Sequence, residues 1–129
     1  MKVELLAISE GAYNHNGRLT LVEAFDVMHV QQVPIEAAVG LAAKILFCPE
    51  DTGHHAMTIR VSQPGQQNPI ADFNSEIDVP NDPEGGKLLM AANVRGFKIP
   101  FDGIYNLMLL IDGNEIYTTT FKVVCHEND

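Results

Sequence analysis

Tryptophan is absent from this 129-residue chain, tyrosine occurs three times and cysteine twice. The lack of large amphipathic aromatics removes the usual stacking platform of a carbohydrate-binding sandwich, leaving Tyr13 beside Asn14, His15 and Asn16 as the one foothold for such a reading. Basic residues are scarce too: 8 Lys and Arg stand against 17 Asp and Glu, a formal charge of −9. A chain of that sign repels phosphate backbones and anionic lipid surfaces, so no nucleic acid and no membrane partner is expected. No apolar run approaches the roughly 18 residues that would span a bilayer. The opening segment Met1 to Glu10 has one Lys and an apolar stretch broken by Glu4, too little for a secretory signal, so a cytoplasmic location is expected unless a leader was removed. Cys48 and Cys125 lack zinc spacing and are expected to stay reduced there.

What is present is an apolar content of 46 % in a chain long enough to bury a core of its own. One domain over residues 1–129 is expected. Short alternating runs recur between turn-rich clusters such as Asn14-His15-Asn16-Gly17, Gln63-Pro64-Gly65 and Pro80-Asn81-Asp82-Pro83. That rhythm predicts an all-β fold, an antiparallel, immunoglobulin-like β-sandwich of about seven to nine strands.

The clearest strand runs from His54 to Ser62, with His55, Met57, Ile59 and Val61 on one face. Residues 87–95 repeat the pattern with Leu88, Met90, Ala92 and Val94 inward; residues 2–9 and 18–25 supply two more strands, the latter with Leu19, Leu21 and Phe25 on one side. Near the end, Tyr105, Leu107, Leu109 and Ile111 face Tyr117, Phe121 and Val123 across a hairpin. Parity favours a three-residue loop at Asp112-Gly113-Asn114, which sets Leu109 against Tyr117 and Tyr105 against Phe121. Residues 34–47 fit either a helix from Pro34 or a strand over roughly Val39 to Phe47. Gly40 and Pro49 favour the strand, with Val39, Leu41, Ala43, Ile45 and Phe47 on one face.

Gly17-Arg18-Leu19-Thr20-Leu21-Val22-Glu23-Ala24-Phe25-Asp26, and Phe101-Asp102-Gly103-Ile104-Tyr105 followed by Ile111-Asp112-Gly113, resemble the landmarks of a bacterial family of small β-sandwich domains of unknown function, over about residues 5 to 124. The resemblance implies a sandwich and no activity, catalytic residue or cofactor. In such folds a tyrosine placed like Tyr105 packs at a corner between sheets and bonds its hydroxyl to nearby backbone.

Two polar constellations merit testing. Cys48, Asp51, His54 and His55 are zinc-ligand types close in sequence, but adjacent histidines on a strand point to opposite faces, so a plain strand-entry loop is the expectation. Asp72, Asn74, Glu76 and Asp78 line one face of another strand. They fail as a calcium loop because Ile77 stands where the turn glycine belongs, and the expectation is a solvated edge strand that discourages aggregation, with Asp82 and Glu84 the helpers a cation site would need. Ser9, Ser62 and Ser75 lie in no nucleophile elbow, the histidines show no evident carboxylate orienter, and Gly85-Gly86 is no phosphate loop. No catalytic residue, metal or cofactor is therefore expected.

One apolar feature remains. Leu89, Ala91, Ile104, Met108 and Leu110 fall on the faces expected to look away from the core, flanked by Lys87 and Arg95. If the two strands adjoin, these side chains form a contiguous patch for a protein partner or a homodimer; otherwise a loop or the N-terminal strand covers them. A non-enzymatic protein-interaction domain is the leading functional expectation, ahead of a small-ligand or carbohydrate-binding sandwich and, last, a metal-dependent hydrolase.

Overall fold

The computed structural model describes residues 1–66 and 68–126. Nine strands follow one another: β1 (Lys2–His15), β2 (Arg18–Ala24), β3 (Val27–Val30), β4 (Ile35–Phe47), β5 (Gly53–Ser62), β6 (Ala71–Val79), β7 (Gly86–Ile99), β8 (Gly103–Ile111) and β9 (Asn114–Cys125). They form a sandwich of a four-stranded sheet, in the order β2-β1-β4-β7, and a five-stranded sheet, in the order β3-β9-β8-β5-β6. All pairings are antiparallel except β3 with β9, which is parallel. Residues 34–47 are strand from Ile35 onward, and Val39, Leu41, Ala43, Ile45 and Phe47 all face the core.

The core is one cluster fed by both sheets, including Leu41 and Ile45 of β4, Met57, Ile59 and Val61 of β5, and Tyr105, Leu107 and Leu109 of β8. At one corner Tyr105 is stacked between Phe101 and Phe121, with ring centroids 4.8 and 5.1 Å away. Its hydroxyl donates to the Phe101 carbonyl at 2.5 Å and accepts the Phe101 N–H at 3.2 Å. Burial pushes the Tyr105 phenol above its ordinary pKa. The corner arrangement drawn from the sequence is therefore present, and it fixes the short connection that carries the chain from one sheet to the other.

The β8–β9 hairpin corrects one expectation. Ile111 pairs with Asn114, so the loop has two residues, Asp112 and Gly113, at φ 52° and 83°. An Asp-Gly pair adopts left-handed backbone at both positions, which matches the twist of the flanking strands. The parity argument is satisfied elsewhere: a bulge between Leu109 and Leu110 absorbs one residue of β9, and Leu109 still faces Tyr117 and Tyr105 still faces Phe121. Tyr117 itself lies exposed.

The four-stranded sheet is folded over on itself. β1 pairs with β4 only as far as Ser9 opposite Gly40, and beyond that point it pairs with β2 alone. Gly40 and Ala42 point away from the core by parity, yet both are buried, as are Ser9, Gly11 and Ala12. The far half of the β1–β2 hairpin lies across the outer face of β4 and reaches β7, where the Asn14 side chain donates to the Leu89 carbonyl at 3.3 Å. Small outward residues on β4 make this possible: a Cβ added at Gly40 would stand 2.5 Å from the Ala12 nitrogen.

Candidate functional site

The polar constellations resolve into pins between strands. His54 and His55 diverge. His54 lies on the outer face with Nδ1 2.7 Å from Asp78 and Nε2 3.5 Å from Glu76. His55 sits at the strand entrance with Nδ1 2.6 Å from Asp112 and Nε2 2.7 Å from the Asp51 carbonyl. Around each ring both neighbours are acceptors, so only the doubly protonated imidazolium satisfies both contacts. The hydrogen bond to Asp78 accordingly raises the His54 pKa, and that to Asp112 raises the His55 pKa. Asp112 is lowered in turn by His55 and by the Ala56 N–H that it accepts at 2.9 Å.

These two carboxylate partners correct the sequence reading that the histidines lack an orienter. Asp78 becomes visible only once the β5–β6 register places it opposite His54, and Asp112 only once the turn is seen docked on β5. With both ring nitrogens of His55 engaged, the geometry braces the hairpin turn against β5. Cys48 contributes its backbone N–H to the Asp51 carboxylate at 2.8 Å. Among the described residues no group of three His, Cys, Asp or Glu side chains is gathered closely enough to hold a metal ion.

The acidic strand is β6, and it lies at the edge of the five-stranded sheet as expected. Its outward side chains form a cross-strand ladder with β5: Arg60 grips Asp72 through two bonds of 2.8 and 3.0 Å, Thr58 donates to Asn74 at 2.7 Å, and His54 meets Asp78. Elsewhere Glu10 and Glu23 stand side by side, and the Glu23 carboxylate raises the Glu10 pKa.

The apolar patch is split. Leu89 and Ala91 belong to β7 of the four-stranded sheet, whereas Ile104, Met108 and Leu110 belong to β8 of the five-stranded sheet, and the outer faces of the two sheets look in opposite directions. Strands adjacent in sequence are separated here because the chain crosses between sheets at the Tyr105 corner. Leu89 and Ala91 are half-buried beside the β1–β2 hairpin. Met108 lies between Arg60 and Thr118, and Leu110 is buried between Thr58 and Glu115. Ile104 remains 47 % exposed. Tyr13, 49 % exposed, sits on the hairpin that crosses β4.

A different surface emerges on the open side of the sandwich, where the edge strands β6 and β7 face one another without pairing. Phe73 of β6 and Phe97 of β7 bridge them at 6.1 Å. Beside that bridge lies a groove of about 190 Å³ floored by Leu41, Met57 and Ile59 and walled by Phe73, Met90 and Val94. Three of its lining residues, Ser75, Ala91 and Ala92, are small and leave it unfilled. The outer edge of β7 adjoins this groove, and from Leu88 to Val94 it carries neither charge nor proline.

A comparison with curated proteins gives no match. Among solved structures the chain is similar to part of a β-glucosidase from Listeria innocua, crystallised in complex with glucose: 7 % identity, a TM-score of 0.57, 98 % of this chain and 16 % of that one. Since the chain spans about 16 % of that enzyme's length, the likeness is one of fold. The model of a family described as "Family of unknown function (DUF6941)" matches residues 4–124, nearly the whole sandwich, and the chain belongs to that family.

Proposed function

We propose that this domain is a non-catalytic protein-interaction module that receives an extended segment of a partner along its open side, adding a strand to the edge of β7. The observation that carries this reading is the contrast between edges. β6 is guarded by Asp72, Glu76 and Asp78, β3 is only four residues long, and β2 has Arg18 and Glu23 near its ends, whereas β7 is uncharged from Leu88 to Val94 beside an apolar groove. Natural sheets blunt their free edges, so a long edge left without charge suits a strand that is covered in use. In support of a non-catalytic role, no serine, threonine or cysteine among the described residues hydrogen-bonds to either imidazole of the two carboxylate pairs. The unpaired Cys48 and Cys125 suit a reducing compartment, and among the described residues no helix is long and apolar enough to cross a membrane.

The test is a comparison of proteins retained from a source-cell extract by the wild type and by Ala92→Arg, whose charge would occupy the groove mouth. A partner held by the wild type and lost by the variant supports the reading. Identical profiles contradict it.

A further inference from the structure

We propose that the strand received by β7 is the β7 of a second copy, laid antiparallel and centred on Met90; this rests on the reading of β7 as the interaction edge. Residues that face the same side of a sheet must pair with one another, so only even-summed registers are allowed for self-pairing. Centred on Met90, the sequence Lys87-Leu88-Leu89-Met90-Ala91-Ala92-Asn93 is complementary to its own reverse. Leu88 falls opposite Ala92, Leu89 opposite Ala91, and Lys87 opposite Asn93; the Leu89 carbonyl, which the exposed Asn14 side chain already reaches at 3.3 Å, has a second lone pair for the new ladder. Apart from Met90, which meets its own copy on the axis, each leucine meets an alanine, and no two like charges stand directly across from each other. Shifting the register by two, so that Ala91 lies on the axis, would set Lys87 against Arg95.

The groove supplies the second part of the fit. Ala92 lines it and is exposed, so in the centred register the inward-facing Leu88 of the second copy comes to the groove mouth beside Ala92 and Ser75. The contact is isologous: each copy offers one leucine and one small-residue recess, and the two four-stranded sheets become one continuous sheet of eight strands. The bulge at Arg95-Gly96, where Val39 pairs with Val94 and Ala37 with Phe97, ends the straight portion of β7 just beyond the paired segment. The charge of −9 on each copy opposes approach, and added salt should therefore tighten the pair.

Sedimentation equilibrium and site-specific cross-linking test this together. The wild type is expected to reach twice its 14.2 kDa with rising concentration, and Ala92→Lys, at an exposed position that a folded monomer tolerates, to remain at 14.2 kDa with an unchanged circular dichroism spectrum. In a Cys48→Ser, Cys125→Ser background, Met90→Cys should oxidise to a disulfide-linked pair, since opposed residues lie about 4.5 to 5.5 Å apart. Leu88→Cys should not, because the two copies of residue 88 would be displaced by four residues, about 13 Å. A wild-type monomer at near-millimolar concentration overturns the proposal, as does a dimer that Ala92→Lys leaves intact or that Leu88→Cys cross-links as readily as Met90→Cys. If self-pairing fails while an extract protein is still retained in an Ala92-dependent way, the interaction edge stands and only its occupant changes.

Discussion

Asn93 on β7 and Ala12 on β1 share two hydrogen bonds across the intervening strand: the Ala12 N–H donates to Oδ1 at 3.0 Å, and Nδ2 donates to the Ala12 carbonyl at 2.9 Å. The side chain behaves like one residue of an extra strand, satisfying a backbone that has left its partner β4. It reaches Ala12 because its cross-strand neighbour is Gly40.

This arrangement predicts that Gly40→Ala is among the most damaging single-methyl additions in the protein. The new Cβ meets main-chain atoms, not a side chain that can swing away. Urea unfolding should register a loss of about 2 kcal/mol or more, at the upper part of the range for overpacking. Asn93→Ala, which strands the two Ala12 groups, should cost about 1 to 2 kcal/mol.

Tyr105→Phe keeps the ring stack with Phe101 and Phe121 but leaves the Phe101 N–H and carbonyl without their shared partner. A loss of about 1 to 3 kcal/mol is expected in chemical denaturation, with little change in the m-value. An unchanged midpoint would mean that water replaces the hydroxyl at no cost.

The paired histidines give a pH dependence of defined sign. Because Asp112 raises the His55 pKa in the folded state, the stabilisation from this pair is fully present below the ordinary histidine value and is lost as pH rises through the raised one. Asp112→Asn should therefore cost more stability at about pH 5.5 than at about pH 8.5, and NMR titration should show the His55 value falling toward about 6.5 in the variant.

Glu10 and Glu23 give a pH dependence of the same sign from a different cause, a like-charge pair. The carboxylate of Glu23 raises the Glu10 pKa, so the fold is favoured by a proton at Glu10 and loses that advantage as pH rises through the raised value. Glu23→Gln is expected to raise the thermal midpoint at neutral pH, and the gain should shrink in acid.

Much of the fold was legible from residue periodicity. The alternation of Val39, Leu41, Ala43, Ile45 and Phe47 made β4 a strand despite its alanines, and Gly103-Ile104-Tyr105 marked the corner. The acidic alternation of β6 located a sheet edge. What periodicity could not reveal was which strands adjoin: β7 and β8 read as a contiguous outer patch, yet they occupy different sheets. Leu89 and Ala91 were placed outward correctly, but the hairpin that packs beside them depends on Gly40 and Asn93, whose meaning appears only when β1 is seen to cross β4. The partners of His54 and His55 were hidden for the same reason, because cross-strand register is a long-range property. The open side was missed because its recess is made of small residues, Ser75 and Ala92, that carry no signal of their own.

Amide hydrogen exchange along β7 tests the central claim most directly. In dilute protein, the amides of residues 86–94 that point away from β4 should exchange far faster than those of Leu41 or Ile59, and they should become protected as concentration rises or a partner is added, while β6 is unaffected. Slow exchange of every β7 amide at the lowest concentration would contradict the account, since the edge would then already be covered by the protein's own chain.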